Sequence, residues 1–317
     1  MVITNTAKLF IRNGGLVWRI LAYLLGCLLI LGGLGLAICY PLIVNLSEAG
    51  FFTQLADIVV NSFANIRIDQ IFSSISELIV SLGTIISQNI AEILPLVIVF
   101  VIIVQFFGYF LVGLSELAII DCLYGYMGSN AKLGFANCFI KNLRKSLKLQ
   151  LAKMLVVVPF NLIITCAVIC CLMLFTTGSF IISVIAPFIC VLVLALLSSI
   201  KSTLFCAWTP CMLARDYGVW YALKQSTNDV CKSFGKIFGR QFVMMICFIA
   251  INFAAWILTA GVGLLLTIPA CILFNKIFGM VIYFYINGQR FYVDNDQIIS
   301  PKKKEDWEPI SNLKNVI

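Results

Sequence analysis

The chain has 317 residues, of which 62% are apolar and only 11% are charged, whereas soluble domains have about 25% charged residues. This composition excludes an ordinary water-soluble protein, because too few polar side chains are present to cover its surface. The sequence contains no histidine, so catalysis and metal ligation by histidine are excluded as well.

Long uncharged runs are the main feature of the sequence. A helix needs about 20 apolar residues to cross a membrane, and an uncharged run of about twice that length must turn back. Four runs, two of them long enough to form hairpins, predict an all-α polytopic membrane bundle of six transmembrane helices with interfacial amphipathic helices. The predicted spans cover about 18–44, 93–120, 154–175, 180–207, 241–260 and 264–287. The first is interpreted as a retained span, since cleaved signal peptides have a shorter apolar core.

Two polar segments complete the domain organisation. Residues 45–92 form a connector in which isoleucines and leucines recur three and four apart, as in an amphipathic helix. This connector could lie on the outer leaflet, cap the bundle or bind a partner helix, and capping is favoured. Residues 288–317 form a tail of mixed charge, which we expect to be flexible rather than a calcium-binding loop.

The distribution of charge predicts the orientation. Basic residues collect before the first span and in the loops that follow the second and fourth spans, whereas acidic residues dominate the connector 45–92. Because short basic loops stay in the cytoplasm, both termini are predicted to be cytoplasmic. The net charge of +8 is then mainly a topology signal, and nucleic acid is not an expected partner.

The two basic loops resemble each other in layout. The offset of 84 residues that relates Gly134 to Gly218 also relates Lys148 to Lys232. Each unit is predicted to contain an amphipathic helix, an outgoing span, a short turn and a returning span, and the N-terminus reads as a third copy. A structural duplication is favoured over a transporter repeat.

Basic side chains in these segments are candidates for contact with lipid headgroups. The candidates are Lys141, Arg144, Lys145, Lys148, Lys232 and Lys236. Membrane lipids, anionic ones in particular, and a membrane protein are therefore the expected partners. The same charges would also occur if they served only to set topology.

Polar residues inside spans are candidates for a binding site, because such residues are costly in a membrane. Lys276 and Gln105 both fall about twelve residues from the outer boundary, near the predicted midplane, and Asn252 lies at a similar depth. Glu116 and Lys201 lie closer to the basic face. These residues could form a substrate or ion site, although a polar clamp between helices is favoured.

Enzymatic signals are weak throughout. Most of the 13 cysteines lie in apolar runs, where cysteine behaves as a small apolar residue. The sequence carries no recognisable phosphate loop, nucleophile elbow or paired carboxylates. We therefore expect no enzymatic activity, cofactor or metal.

One segment carries a resemblance to a known family. Pro210, Asp216, Ala222, Leu223, Lys224 and Ser226 lie within the sequence PCMLARDYGVWYALKQS. This segment resembles the membrane domain of bacterial glycerophosphodiester phosphodiesterases and its uncharacterised six-span relatives. The resemblance implies a multi-pass protein of the bacterial plasma membrane, but not hydrolysis, because the hydrolytic unit of that family is a separate soluble domain.

The sequence thus favours a non-enzymatic membrane protein that organises lipids or a partner protein. The alternative is a small transporter or channel that uses the polar residues at depth.

Overall fold

A computed structural model describes residues 2–48, 50–64, 90–173, 180–294 and 297–301, together with Ser76 and Val80. Six helices in this part of the chain are long and apolar enough to cross a membrane. This confirms the predicted all-α membrane bundle. Most of the connector 45–92 and residues 302–317 lie outside the described residues, and so do the predictions made for them.

The described helices follow one another with short breaks. They are α1 (Val2–Arg12), α2 (Gly15–Glu48), α3 (Phe51–Ala64), α4 (Ile90–Ile103), a π-helical turn (Val104–Gly108), α5 (Tyr109–Leu114), α6 (Glu116–Ser129), α7 (Phe135–Met173), α8 (Phe180–Phe205), α9 (Trp208–Ala214), α10 (Val219–Cys231), α11 (Phe234–Thr259) and α12 (Leu264–Ile286). An antiparallel hairpin of β1 (Phe291–Asp294) and β2 (Gln297–Ile299) follows α12.

The first basic segment and the span after it form one helix. Helix α7 has 39 residues, which corresponds to about 58 Å at the α-helical rise. The sequence alone predicts an amphipathic helix and a separate span. The second basic segment does divide in this way, because the helical conformation is interrupted at Lys232 and Ser233, between α10 and α11.

The chain forms two compact units. One contains Met1–Leu25, Leu111–Val157 and Ala195–Ile317, and the other contains Gly26–Phe110 and Val158–Leu194. The largest fully buried side chains belong to the first unit and include Trp208, Tyr126, Tyr283 and Phe278. They lie on α6, α9 and α12, which contact one another. These three helix segments form the core of the first unit.

Helices α7, α10 and α1 each pack on one helix of that core. The first half of α7 packs on α6, where the Asn142 amide donates to Asp121 over 2.7 Å. Helix α10 packs on α9, where the Trp208 indole donates to a backbone carbonyl at the start of α10 over 2.9 Å. Helix α1 packs on α12, where the Asn5 amide donates to the Tyr285 hydroxyl over 3.3 Å. The basic helices α7 and α10 therefore each pack on the helix that precedes them, α6 and α9 respectively. Helix α1 packs on α12.

The predicted repeat extends to the pattern of burial. The offset of 84 residues relates the first residue of α7, Phe135, to the first residue of α10, Val219. Over the length of α10 the buried positions coincide: Cys138 with Ala222, Asn142 with Ser226, and Ser146 with Val230. Beyond α10 the match is partial, since Lys153 and Val157 correspond to buried Ile237 and Gln241 but Leu149 and Ala152 correspond to exposed Ser233 and Lys236. The two basic segments therefore present the same face to the protein interior, which supports the interpretation as a duplication.

The start of the tail is folded, contrary to the expectation of a flexible segment. Phe291 and Val293 of β1 are buried, and the Phe291 ring lies 5.4 Å from that of Phe284. Arg12 of α1 forms an ion pair with Asp294. Buried and half-buried residues alternate in β1, as in other strands, but four residues are too few for this period of two to be recognised in the sequence.

A close backbone contact supports the first prediction. A Cβ atom on Gly279 of α12 would lie 2.7 Å from the carbonyl oxygen of Cys206, whereas one on Gly239 of α11 would meet nothing within 4 Å. We expect Gly279→Ala to lower the free energy of unfolding by about 1–3 kcal/mol, because backbone must move. Gly239→Ala, the matched control, should leave it unchanged or raise it slightly. Thermal unfolding of the purified protein in detergent tests this, and equal stability of the two variants would contradict the close contact.

Candidate functional site

Charged residues gather in the first unit where the uncharged runs end. Glu116 ends the uncharged stretch of the second span, Lys153 precedes that of the third, and Lys201 follows that of the fourth. Helix α6 begins at Glu116, immediately after Ser115 interrupts the helix. These residues therefore mark one level of the bundle, on the side that carries the two basic loops, which we call the basic side.

The carboxylate of Glu116 is the centre of the cluster. Its Oε1 accepts hydrogen bonds from Lys276 Nζ at 2.6 Å and from Thr209 Oγ1 at 2.8 Å. Its Oε2 accepts a hydrogen bond from Lys153 Nζ at 2.6 Å, and Gln150 Nε2 lies 3.4 Å away. The partners lie on α7, α9 and α12, so one side chain of α6 joins four helices. We call Glu116, Lys153, Thr209 and Lys276 the ion cluster.

Burial and charge are unequal within the ion cluster. The side chain of Lys153 is 4% exposed and that of Glu116 is 10% exposed, whereas that of Lys276 is 27% exposed. Lys153 also donates to Thr209 Oγ1 over 2.8 Å, and its ammonium lies 5.5 Å from the centre of the Trp208 ring. Two ammonium groups thus share one carboxylate, and the cluster carries a net charge of +1.

Polar side chains on one face of α7 extend this site toward Ser115, where the helix is interrupted. Ser146 donates to the carbonyl of Leu114 and Gln150 donates to the carbonyl of Gly113, both over 2.7 Å. These carbonyls lie just before Ser115, where the helix is interrupted and backbone acceptors need partners. A Cβ atom on Gly113 would overlap the side-chain amide of Gln150, so an alanine there would require that amide to shift.

The structure brings together some of the predicted residues and separates others. Glu116 and Lys276 are in direct contact, and Lys201 lies within electrostatic range of Lys276. Asn252 lies elsewhere, where its amide donates to the carbonyl of Phe248 over 2.8 Å and accepts from Thr267 over 2.7 Å. Gln105 belongs to the π-helical turn, and its side chain lies outside the described residues.

Two positions differ from expectation. Lys276 is predicted near the midplane, in a possible cluster with Gln105, Asn252 and Glu116. It contacts Glu116, which ends an uncharged run, whereas Asn252 bonds to Phe248 and Thr267. Counting residues gives the depth of a backbone position and does not show which partner its side chain reaches. Lys153 was interpreted as a topology residue only. Its spacing of three from Gln150 and seven from Ser146, on one face of α7, is the signal that would have revealed it.

The chemistry of this arrangement is that of a clamp. Both carboxylate oxygens of Glu116 already accept charge-assisted hydrogen bonds, which stabilise the ionised form. Asn252 and Thr267 likewise bond to each other between α11 and α12, as polar residues commonly do between membrane helices. Among the described residues, no group of three or more cysteine or acidic side chains is placed to hold a metal ion.

Comparison with known proteins gives no assignment. The sequence matches no family model, no curated protein and no solved structure.

The unequal burial of the ion cluster gives the second prediction. Glu116→Gln should lower the free energy of unfolding by about 3–5 kcal/mol, because it leaves two ammonium groups without a counter-charge. Lys153→Met should cost less, because Glu116 keeps Lys276 as a partner. Glu48→Gln, the same change at an exposed position of α2, should have little effect. Thermal or denaturant unfolding in detergent measures the three variants.

The order of the variants is the decisive result. A Glu116→Gln variant as stable as Glu48→Gln would show that the ion cluster does not hold the helices together.

Proposed function

We propose that this chain is a non-enzymatic integral membrane protein that organises anionic lipids along its basic side. In this proposal the basic side faces the cytoplasm of a bacterial cell and the protein lies in the plasma membrane. The proposal is supported chiefly by one observation, the composition of the outward face of α7.

The outward face of α7 combines exposed cations with exposed apolar side chains. Lys141 and Lys145 are 70% and 54% exposed at their side chains, and Arg144 and Lys148 are also exposed. Between them lie the exposed side chains of Ile140, Leu143, Leu147 and Leu151. A helix that exposes both kinds of residue is typical of the membrane interface, where apolar side chains enter the lipid and cations meet headgroups.

The second basic segment has a similar surface. Lys232 and Lys236 are exposed, and Trp220 and Tyr221 at the start of α10 are also exposed. Tryptophan and tyrosine are enriched where the hydrocarbon region meets the headgroups. Both copies of the repeat thus present an interfacial surface on the basic side.

Not all of these cations are equally available to lipid. Lys141 pairs with Asp121, Lys145 with Asp216 and Lys232 with Asp229. The hydrogen bond and charge of Lys145 lower the pKa of Asp216 below its ordinary value. Among the described residues, Arg144, Lys148 and Lys236 have no ion-pair partner. They are therefore the best candidates for headgroup contacts.

The alternative function, a small transporter or channel, has less support. It requires Lys276 to meet Gln105 or Asn252 around a hydrated cavity. Lys276 instead bonds to Glu116, and Asn252 bonds to Thr267 within a helix pair. These contacts favour a structural role for the polar residues at depth.

The resemblance to the membrane domain of glycerophosphodiester phosphodiesterases is part of the proposal. Pro210 is buried in α9, and Ala222 and Ser226 lie on the buried face of α10. The segment that carries the resemblance thus joins α10 to α9, which is consistent with a shared fold.

The third prediction concerns Arg144 and Lys148. The double variant Arg144→Gln/Lys148→Gln should lose most of its preference for phosphatidylglycerol over phosphatidylcholine. Each cation near an anionic surface contributes about 1 kcal/mol, so the loss should be at most about thirty-fold. Spin-labelled lipids in reconstituted vesicles measure this preference. The control Arg144→Lys/Lys148→Arg keeps both charges and should behave as the wild type.

Unchanged lipid preference in the neutral variant, with its fold intact by circular dichroism, would overturn the proposal. Equal loss in the charge-conserving control would show that packing, not charge, was altered.

A further inference from the structure

We infer that Lys276 forms part of a discrete site for a phosphate-class anion at the level of the ion cluster. This inference rests on the proposed function in one respect, since an anionic lipid headgroup is one source of the phosphate. It concerns a single half-buried position between helices, not the exposed face of α7.

The hydrogen-bonding capacity of Lys276 is only partly used. An ammonium group has three N–H donors. Lys276 donates to Glu116 Oε1, and no other acceptor among the described residues bonds to it. Lys153 differs, because its ammonium meets Glu116, Thr209 and the face of Trp208. Lys276 therefore uses one of its three donors on a described acceptor, and its side chain is 27% exposed.

The charge around Lys276 also favours an anion. Glu116 balances one of the two ammonium groups of the ion cluster, which leaves one positive charge unbalanced. An excess of positive charge at the edge of a hydrocarbon region is unfavourable unless an anion or water reaches it. A second anion at Lys276 would make this local charge neutral.

The position of the site indicates which class of anion would bind there. Glu116, Lys153 and Lys201 lie where the uncharged runs end, and Lys276 lies at their level. Phosphate groups of lipids are the anions concentrated at this depth of a bilayer. Lysine also binds phosphate as a point charge without requiring planar geometry. Both a lipid headgroup and free phosphate would present this chemistry.

The test uses the full chain purified in detergent. Native mass spectrometry during titration with phosphatidylglycerol, with phosphatidylcholine as the reference, measures the affinity for the anionic lipid. Lys276→Met should weaken phosphatidylglycerol binding about tenfold, as expected for the loss of one charge-assisted contact. Lys276→Arg should retain binding. Lys132→Met, the matched change at an exposed lysine between α6 and α7, should retain binding at the Lys276 site.

A second measurement does not depend on the variants folding. The thermal midpoint of the wild type is recorded with phosphatidylglycerol, with phosphatidylcholine, and with inorganic phosphate against chloride at equal ionic strength. Stabilisation by phosphatidylglycerol but not by phosphatidylcholine, persisting in Arg144→Gln/Lys148→Gln, identifies a headgroup site apart from the face of α7, and stabilisation by inorganic phosphate as well identifies a site for free phosphate. Stabilisation by neither overturns the inference.

Equal affinity of the wild type and folded Lys276→Met for phosphatidylglycerol would also overturn it. Failure of this site and failure of the proposed function are distinguishable. The Arg144→Gln/Lys148→Gln variant changes the general lipid preference, whereas Lys276→Met changes only the binding of phosphatidylglycerol at the Lys276 site.

Discussion

The carboxylate of Glu116 is the contact on which the arrangement of the first unit depends. It binds Lys153 and Lys276 at 2.6 Å and Thr209 at 2.8 Å, and these partners come from three other helices. Removing charges from water is costly, so such a cluster is stable only when its geometry satisfies each member. The short contacts of the ion cluster meet that condition, and they fix α6, α7, α9 and α12 at one level.

This constraint explains why the basic helices expose their lysines on the protein surface. Because the buried face of α7 is polar and is used by Asp121, Glu116 and two backbone carbonyls, its opposite face is left to expose lysines and leucines. The corresponding face of α10 is buried on α9 in the same register, 84 residues later. The repeat therefore presents basic, partly apolar faces on one side of the bundle, where lipid headgroups would lie.

Much of the fold is predictable from the sequence, because uncharged runs of this length have few alternatives to crossing a membrane. The contacts of the ion cluster are not predictable in the same way. Counting residues from a boundary places Lys276, Gln105 and Asn252 at a similar depth, but counting cannot show which helices are neighbours. Lys153 contributes only to the topology prediction, although its spacing from Gln150 and Ser146 distinguishes it from Lys148. The hairpin Phe291–Ile299 was missed because two strands of four and three residues give too short a pattern.

A double-mutant cycle between Glu116 and Lys153 tests the central role of the ion cluster most directly. The free energies of unfolding of Glu116→Gln, Lys153→Met and the double variant are compared with that of the wild type. If the two side chains act as a buried pair, their effects should be non-additive, with a coupling of about 1–3 kcal/mol. Additive effects, within about 0.5 kcal/mol, would contradict the account.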